Sequence, residues 1–151
     1  MSSPSRLPAG APAALLVAAL LWLTACSPSP DLVARDAWIR AVPPGASATA
    51  GYLVLENHGD RERRLTAVTA DGIPRVEIHE TTMRDGIMRM RPLDAIPIPA
   101  GESVTLAPGG RHLMLFADTP PAAGTTVALE LSFADGTVLA IDAPVRRRGE
   151  D

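Results

Sequence analysis

The stretch GGRHLMLFAD, residues 109–118, holds the clearest strand pattern in the chain. Side chains alternate between the two faces of a β-strand, so Leu113 and Leu115 share one face while His112 and Met114 share the other. Leucines at alternate positions are natural core residues. We therefore predict a strand over residues 112–117 that buries one face and carries an imidazole and a thioether on the opposite face or at its rim.

Short apolar or alternating runs continue through most of the chain, and Gly, Pro and Asp turns separate them. Strands at this spacing, with no long stretch at helical spacing, indicate an antiparallel β-sandwich or barrel of about eight or nine short strands. Asp135-Gly136 predicts a hairpin turn, and the segment 43–50 is long enough to cross from one sheet to another. The predicted strands are 38–42, 51–56, 65–69, 76–80, 87–93, 103–106, 112–117, 126–133 and 138–143.

The N-terminus has the features of an export signal. Arg6 precedes an apolar run, residues 13–23, that is too short to span a bilayer and has the length of a signal-peptide core. The run ends at Leu-Thr-Ala-Cys, which resembles a bacterial lipobox and implies cleavage before Cys26 and lipid attachment to its sulfur. The alternative is an ordinary secretory signal with an incidental cysteine. We favour the lipobox, because Cys26 is the only cysteine in the chain.

These features predict four segments. Residues 1–25 form a lipoprotein signal peptide, 26–35 the lipidated cysteine and a tether, 36–145 one β-sandwich domain, and 146–151 a charged tail. A single cysteine allows no intrachain disulfide. All 14 basic residues are Arg, and 13 of them remain after cleavage against 17 acidic residues. This net negative charge argues against a nucleic-acid partner, which needs a basic face.

Motifs for catalysis are missing from the sequence. There is no G-x-S-x-G, no P-loop, no H-E-x-x-H and no cysteine nucleophile in the predicted domain. The acidic residues are scattered, so sequence alone pairs none of them as an acid and a base. We therefore expect a protein that is not an enzyme.

Histidine and methionine are concentrated in one region. Val76 and Ile78 alternate with His79, which places His79 on the less buried face. A two-residue loop at Arg84-Asp85 would put Met90 directly opposite His79, and a loop at Asp85-Gly86 would put it one diagonal step away. Both registers keep the pair close, whereas a three-residue loop without a bulge would separate it. Six residues lie in the region: His79, Met83, Met88, Met90, His112 and Met114.

Two His/Met pairs on two strand units suggest one metal site. Thioether sulfur is soft and uncharged, so it has little affinity for Mg²⁺, Ca²⁺ or Zn²⁺ and suits Cu(I), with imidazole as a partner. The alternative for each residue alone is structural, because Met often fills irregular cores and a lone His is usually hydrogen-bonded. We interpret Met83 and Met88 as packing or rim residues. Glu77 and Glu80 either orient the His79 ring or are solvated strand residues, and we favour the second.

The spacing of the remaining four residues resembles that of a known family. His79, Met90, His112 and Met114 reproduce the pattern H-x10-M-x21-H-x-M of the PCu(A)C family of periplasmic copper chaperones. The sequence around these four residues also resembles that family, in the segments AWIRAVPPG, AGYLVLENHG, VEIHE, GIMRMRPL and LAPGGRHLMLF. The resemblance implies a cupredoxin-like Greek-key sandwich with a surface site for one Cu(I) per chain, held by these four residues.

The resemblance also implies a function. It predicts a chaperone that delivers copper to the dinuclear copper centre of a haem-copper oxidase. The signal and the lipobox add that this chaperone is exported and lipid-anchored through Cys26, and we expect it to be monomeric. The expected partners are the oxidase subunit or a Sco-type chaperone. Two other hypotheses stay open: a metal-free structural or adhesive lipoprotein, and an electron-transfer copper protein. The last is disfavoured, because blue-copper sites need a Cys thiolate and the only cysteine lies in the lipobox.

Overall fold

The structure, a computed structural model, describes residues 30–147 and residue 149 of the chain. Within that part every regular element is a β-strand, which confirms the predicted all-β class. No helix there has the length and apolar character needed to cross a membrane. The strands are β1 Leu32–Arg40, β2 Ala48–Asn57, β3 Arg63–Ala70, β4 Arg75–Arg84, β5 Ile87–Pro92, β6 Ile96–Ile98, β7 Ser103–Leu106, β8 Arg111–Phe116, β9 Thr126–Phe133 and β10 Val138–Arg146.

The strands pair side by side in the order β5-β4-β8-β2-β1-β10-β9-β3-β6, and β7 also pairs with β2. All pairs are antiparallel except β1 with β10, where Ile39 lies beside Val145. The two halves of this path contribute to one buried cluster, with Leu113 and Leu115 from one half and Leu129 and Leu131 from the other. The path therefore curls around a single core, and the ten strands seen in the described part of the chain lie between residues 32 and 146.

Ten strands occur in the described residues instead of the predicted eight or nine. The strand missed in the sequence is β6, which has only three residues with Pro97 in the middle. It is the last strand of the path and pairs only with β3. Proline is tolerated on such an edge strand because its missing N–H breaks no central hydrogen bond.

The predicted boundary between tether and domain at residues 35 and 36 is wrong. β1 begins at Leu32, which is buried and lies opposite Asn57 of β2. Asp36 has a positive φ of 53°, and the β1–β2 register shifts between Arg35 and Trp38. This bulge interrupts the alternation of side chains between the two faces, so the sequence pattern does not indicate a strand in the first half of β1. The predicted signal peptide and the predicted lipidation site, Cys26, lie outside the described residues.

Two predicted connections had different outcomes. Asp135-Gly136 does join the paired strands β9 and β10, with Gly136 at a φ of 86°, so the predicted hairpin is confirmed. The segment 43–50 does not cross between sheets. It connects β1 to its direct neighbour β2, which already begins at Ala48.

Candidate metal centre

The face of the sheet opposite the core carries the histidines and methionines. On β4 and β8, Ile78 lies opposite Leu113, and both side chains are buried in the core. The next pair along is His79 opposite His112, so these two rings occupy the other face. The ring centroids are 5.9 Å apart, and the ring planes are tilted by 58°. Because metal–imidazole bonds are about 2 Å long, one ion can bridge rings at this separation.

The hairpin β4–β5 determines where Met90 lies. Arg84 pairs with Ile87, so Asp85 and Gly86 form a two-residue loop, and both have positive φ angles of 52° and 74°. This geometry is that of a type I′ hairpin turn. It selects the second of the two predicted registers, in which Met90 lies opposite Thr81. Met90 is therefore one diagonal step from His79 on the same face.

Met114 completes the group on β8. It lies two residues from His112 on the same face and opposite Glu77 of β4. A groove of about 420 Å³ opens on this face, and Met88, Met90, His112 and Met114 are among the residues that line it. The strand registers thus bring His79, Met90, His112 and Met114 to one region of one face.

These side chains differ in their access to solvent. His112 is only 4% exposed and the His79 side chain only 12%, although a surface site was expected. Met90 is 53% exposed and Met114 is half-buried. The site is therefore recessed at its two imidazoles and open at Met90.

One nitrogen of the His112 ring is committed to a backbone carbonyl. His112 Nδ1 lies 3.0 Å from the carbonyl oxygen of Gly110, and a carbonyl only accepts, so Nδ1 carries the proton and donates it. The same oxygen accepts the backbone N–H of Thr81 at 3.0 Å, which ties the loop before β8 to β4. In the neutral ring the lone pair is then on Nε2, available to a metal.

His79 is held in the opposite tautomer. Its Nε2 lies 2.8 Å from Oε2 of Glu77. That hydrogen bond holds the pKa of the Glu77 carboxyl below its usual value, and the charge of Arg75 adds to the effect. The carboxylate accepts, so His79 donates from Nε2, and in the neutral ring the lone pair is then on Nδ1. Nδ1 is buried and has no hydrogen-bond partner, an arrangement that costs about 1–3 kcal/mol unless another group satisfies it. A metal ion is one such group.

Glu77 contacts the His79 ring, although the sequence favoured a solvated strand residue. Of the two glutamates beside His79, Glu77 contacts the ring, whereas Glu80 pairs with Arg91 at 2.7 Å and with Arg111 at 3.6 Å. In a strand, residues 77 and 79 share a face and residue 80 does not, so alternation is the signal that separates them. The carboxylate–histidine pair is the arrangement that fixes ring orientation in many metal sites.

Phe116 is a further neighbour that was not singled out from the sequence. Its ring centroid lies 6.5 Å from that of His79, and the guanidinium of Arg75 lies 3.8 Å from the Phe116 centroid. Phe116 follows Met114 at the next position of the same face of β8. It therefore places an aromatic ring beside the His79 imidazole.

Other candidate features do not join this site. Met83 and Met88, predicted to be packing or rim residues, are both 62% exposed, so they do not pack in the core. His58 is on the surface near Glu56, 3.3 Å away. In the described part of the chain no group of three or more His, Cys, Asp or Glu side chains is placed to hold a metal. A larger pocket of about 570 Å³, lined by Pro43, Pro44, Pro120 and Pro121 among others, contains neither His nor Met.

The family of the chain follows from a match over most of its length. A family model described as "Putative lipoprotein LpqE-like" matches residues 32–145. The chain belongs to this LpqE-like family. The matched region runs from the first residue of β1 to the penultimate residue of β10.

One curated relative and two solved structures show what the LpqE-like chain is similar to. "Putative lipoprotein Lxx21020" of Leifsonia xyli subsp. xyli (strain CTCB07) is 31% identical over 112 residues, which cover 73% of this chain and 66% of the relative, just under two thirds. "Copper-bound PCuAC domain from PmoF2" is 28% identical with a TM-score of 0.64 and covers 78% of this chain and 93% of that one. "Solution structure of CuI-DR1885 from Deinococcus radiodurans" is 30% identical with a TM-score of 0.61, covering 84% and 85%. These similarities confirm the predicted PCuAC relationship and the cupredoxin-like fold.

Proposed function

We propose that this LpqE-like protein is a Cu(I) carrier whose ion is bound by His79, Met90, His112 and Met114. The observation that carries the proposal is the buried Nδ1 of His79, which has no hydrogen-bond partner and belongs to a ring directly opposite His112. A buried nitrogen with a free lone pair is unfavourable in a protein that binds nothing there. Two thioethers on the same face supply the remaining ligands.

The donor set favours Cu(I) over the common hard cations. Two neutral imidazoles and two neutral thioethers leave the charge of the ion uncompensated, which disfavours divalent ions more than a monovalent one. Thioethers also select soft ions, since carboxylate or carbonyl oxygens suit Mg²⁺ and Ca²⁺ better. The names of two similar structures, which describe a copper-bound domain and a CuI form, support the same choice.

The exposure of the ligands suits release by ligand exchange. His79 and His112 are recessed and held by Glu77 and Gly110, so they keep their positions while the ion is bound or released. Met90 is half exposed on the outermost strand of the sheet. An acceptor thiolate therefore approaches from the Met90 side, takes one coordination position, and draws the ion away because thiolate binds Cu(I) more tightly than thioether.

The destination proposed for the copper is a dinuclear copper centre in a haem-copper oxidase, reached directly or through a Sco-type chaperone. This part rests on the PCuAC relationship. The carrier is not an enzyme, is monomeric, and acts on the outer side of the cytoplasmic membrane. Transfer from the Cu(I)-loaded protein to the purified oxidase subunit and to the Sco-type chaperone, followed by mass spectrometry, tests the two routes. If neither acquires copper from the loaded protein, the oxidase assignment fails.

Anchoring through Cys26 is proposed from the lipobox, and the lipoprotein description of the family supports it. Lipoprotein anchors carry more than one acyl chain, which makes attachment stable. Growth with a labelled fatty acid should label the wild-type protein and leave Cys26→Ser unlabelled. Label in the Cys26→Ser variant, or none in the wild type, contradicts the anchor without affecting the copper proposal.

The copper proposal is tested by titration of the chain from residue 30 onward, which contains all the strands of the described residues, with Cu(I) against a competing chelator. One tight equivalent is expected. His112→Ala and Met114→Ala should weaken it strongly, while His58→Ala, the matched change at the exposed histidine, should not. Unfolding curves show that each variant is folded. Absence of a tight equivalent in the wild type favours the metal-free adhesive alternative, and a strong visible band in the copper-loaded protein favours electron transfer.

A further inference from the structure

The tip of the β4–β5 hairpin exposes an apolar group that the proposed Cu(I) site does not use. Met83 lies directly opposite Met88, and each residue is 62% exposed. Ile87, between Met88 and the turn, is 54% exposed. Large apolar side chains in water contribute no burial energy to the fold, so packing does not explain two methionines at these positions.

The strand registers put both methionines on the face of the proposed site. His79, Thr81 and Met83 alternate along β4, and Met90 and Met88 lie opposite Thr81 and Met83 on β5. Side chains directly opposite each other have Cβ atoms about 4.5–5.5 Å apart, a separation that two flexible thioethers can bridge through one ion. Met88 also lines the same groove as Met90, His112 and Met114.

From this arrangement we infer that Met83 and Met88 form a second, weaker Cu(I) site at the hairpin tip, from which the ion enters the four-ligand site. The inference rests on the proposed function. Two thioethers give fewer bonds than two thioethers and two imidazoles, so the affinity is lower. The exposure of both methionines lets a donor or acceptor reach the ion, which the recessed histidines do not allow.

Transfer between the two sites needs no change of oxidation state. The ion stays Cu(I) while its bonds to the sulfurs of Met83 and Met88 break and bonds to Met90 and then to the imidazoles form. Met88 and Met90 are two residues apart on the same face of β5, so each exchange is short. The other face of the hairpin carries Arg84 and Arg89 instead, and positively charged guanidiniums do not bind a cation. The three thioethers of the hairpin, which are the ligands that suit Cu(I), therefore all lie on one face.

The test compares the wild type, from residue 30 onward, with Met83→Leu/Met88→Leu and with Met90→Leu. Leucine keeps the apolar volume and removes only the sulfur. We expect the wild type to bind one tight and one weaker equivalent of Cu(I), and the double variant to lose the weaker one with the tight affinity unchanged. Ile87→Leu is the control at the neighbouring exposed position and should keep both.

A second readout assigns the sites directly. In protein labelled with ¹³C at the methionine methyl groups, the first equivalent should shift the signals of Met90 and Met114, and the second those of Met83 and Met88. Loading by stopped flow should be several-fold slower in Met83→Leu/Met88→Leu. The inference is overturned if the double variant binds and loads as the wild type does, or if the methyl signals of Met83 and Met88 stay unchanged. A wild type with no tight equivalent overturns the proposed function instead.

Discussion

His79 and His112 lie directly opposite each other on the paired strands β4 and β8, yet their rings are fixed in different ways. His79 donates a hydrogen bond from Nε2 to a carboxylate, whereas His112 donates one from Nδ1 to a backbone carbonyl. In the neutral rings, the lone pair is therefore on Nδ1 of His79 and on Nε2 of His112. Two separate anchors hold the pair in place before any ion arrives, so binding needs little reordering of the rings.

Removal of the Glu77 carboxylate should weaken Cu(I) binding. Without its acceptor the His79 ring is free to rotate and to change tautomer, and the loss of such an orienting partner typically lowers metal affinity about 10–100-fold. We expect Glu77→Ala to show a loss of this order and Glu77→Gln, which keeps an acceptor oxygen, a smaller one. Competition titration measures both.

Glu80→Ala is the matched control for this prediction. It removes the same charge from the same strand, but Glu80 pairs with Arg91 and Arg111 instead of a histidine. Equal losses in Glu77→Ala and Glu80→Ala would mean that charge, and not ring orientation, is responsible.

The two-residue turn at Asp85-Gly86 should control the position of Met90. Gly86 has a φ of 74°, and a residue with a Cβ pays roughly 1–2 kcal/mol there. We expect Gly86→Val to disturb the hairpin, weaken the contacts between Thr81 and Met90 seen by NMR, and lower the Cu(I) affinity. Asp85→Asn, which tolerates a positive φ, should leave both unchanged. Retention of those contacts and of the affinity in Gly86→Val would contradict the prediction.

Asn57 should stabilise the fold without influencing the metal site. Its side chain is 1% exposed, and its Nδ2 donates to the carbonyls of Arg61, Ile98 and Pro99 at 2.8, 2.9 and 3.1 Å. Asn57→Ala removes these hydrogen bonds from a buried position, so the free energy of unfolding should fall by about 1–3 kcal/mol. Denaturant unfolding measures this, with the exposed His58→Ala as a neutral neighbour.

The Cu(I) affinity of folded Asn57→Ala should equal that of the wild type, because none of its partners belongs to the candidate site. A large loss of affinity in the folded variant would show coupling between the β6 edge and the metal centre that the contacts do not predict.

Zinc should compete poorly for the site. Thioethers contribute little to Zn²⁺ binding, so Zn²⁺ has only the two imidazoles as effective ligands. A large molar excess of Zn²⁺ should leave the Cu(I) equivalent in place, and Met90→Leu/Met114→Leu should reduce the preference for Cu(I). Displacement of Cu(I) by Zn²⁺ from the wild type would argue against methionine ligation.

Much of the fold was predictable, because the alternation of apolar and polar residues is a strong signal where one face of a strand is buried. The burial of Leu113 and Ile78 is an example, since both residues stand out as core positions in their strands. β6 was not predicted, because three residues with a proline in the middle are too few to show the alternation of a strand. The first half of β1 was not predicted, because the bulge at Asp36 breaks the alternation of side chains along the strand.

The site was predictable only in part, because registers between distant strands do not appear in a sequence. The hairpin turn left two registers for Met90, and only the positive φ angles at Asp85 and Gly86 select one. The burial of His112 was also missed, since alternation tells which face a residue lies on and not what covers that face. The carbonyl of Gly110 is a backbone group, for which side-chain patterns carry no information.

X-ray absorption spectroscopy at the copper edge, on the domain loaded with one equivalent of Cu(I), tests the central claim most directly. We predict a copper shell of two imidazole nitrogens and two thioether sulfurs, with His112→Ala losing nitrogen and Met114→Leu losing sulfur. A shell without sulfur, or one without imidazole, would contradict the account.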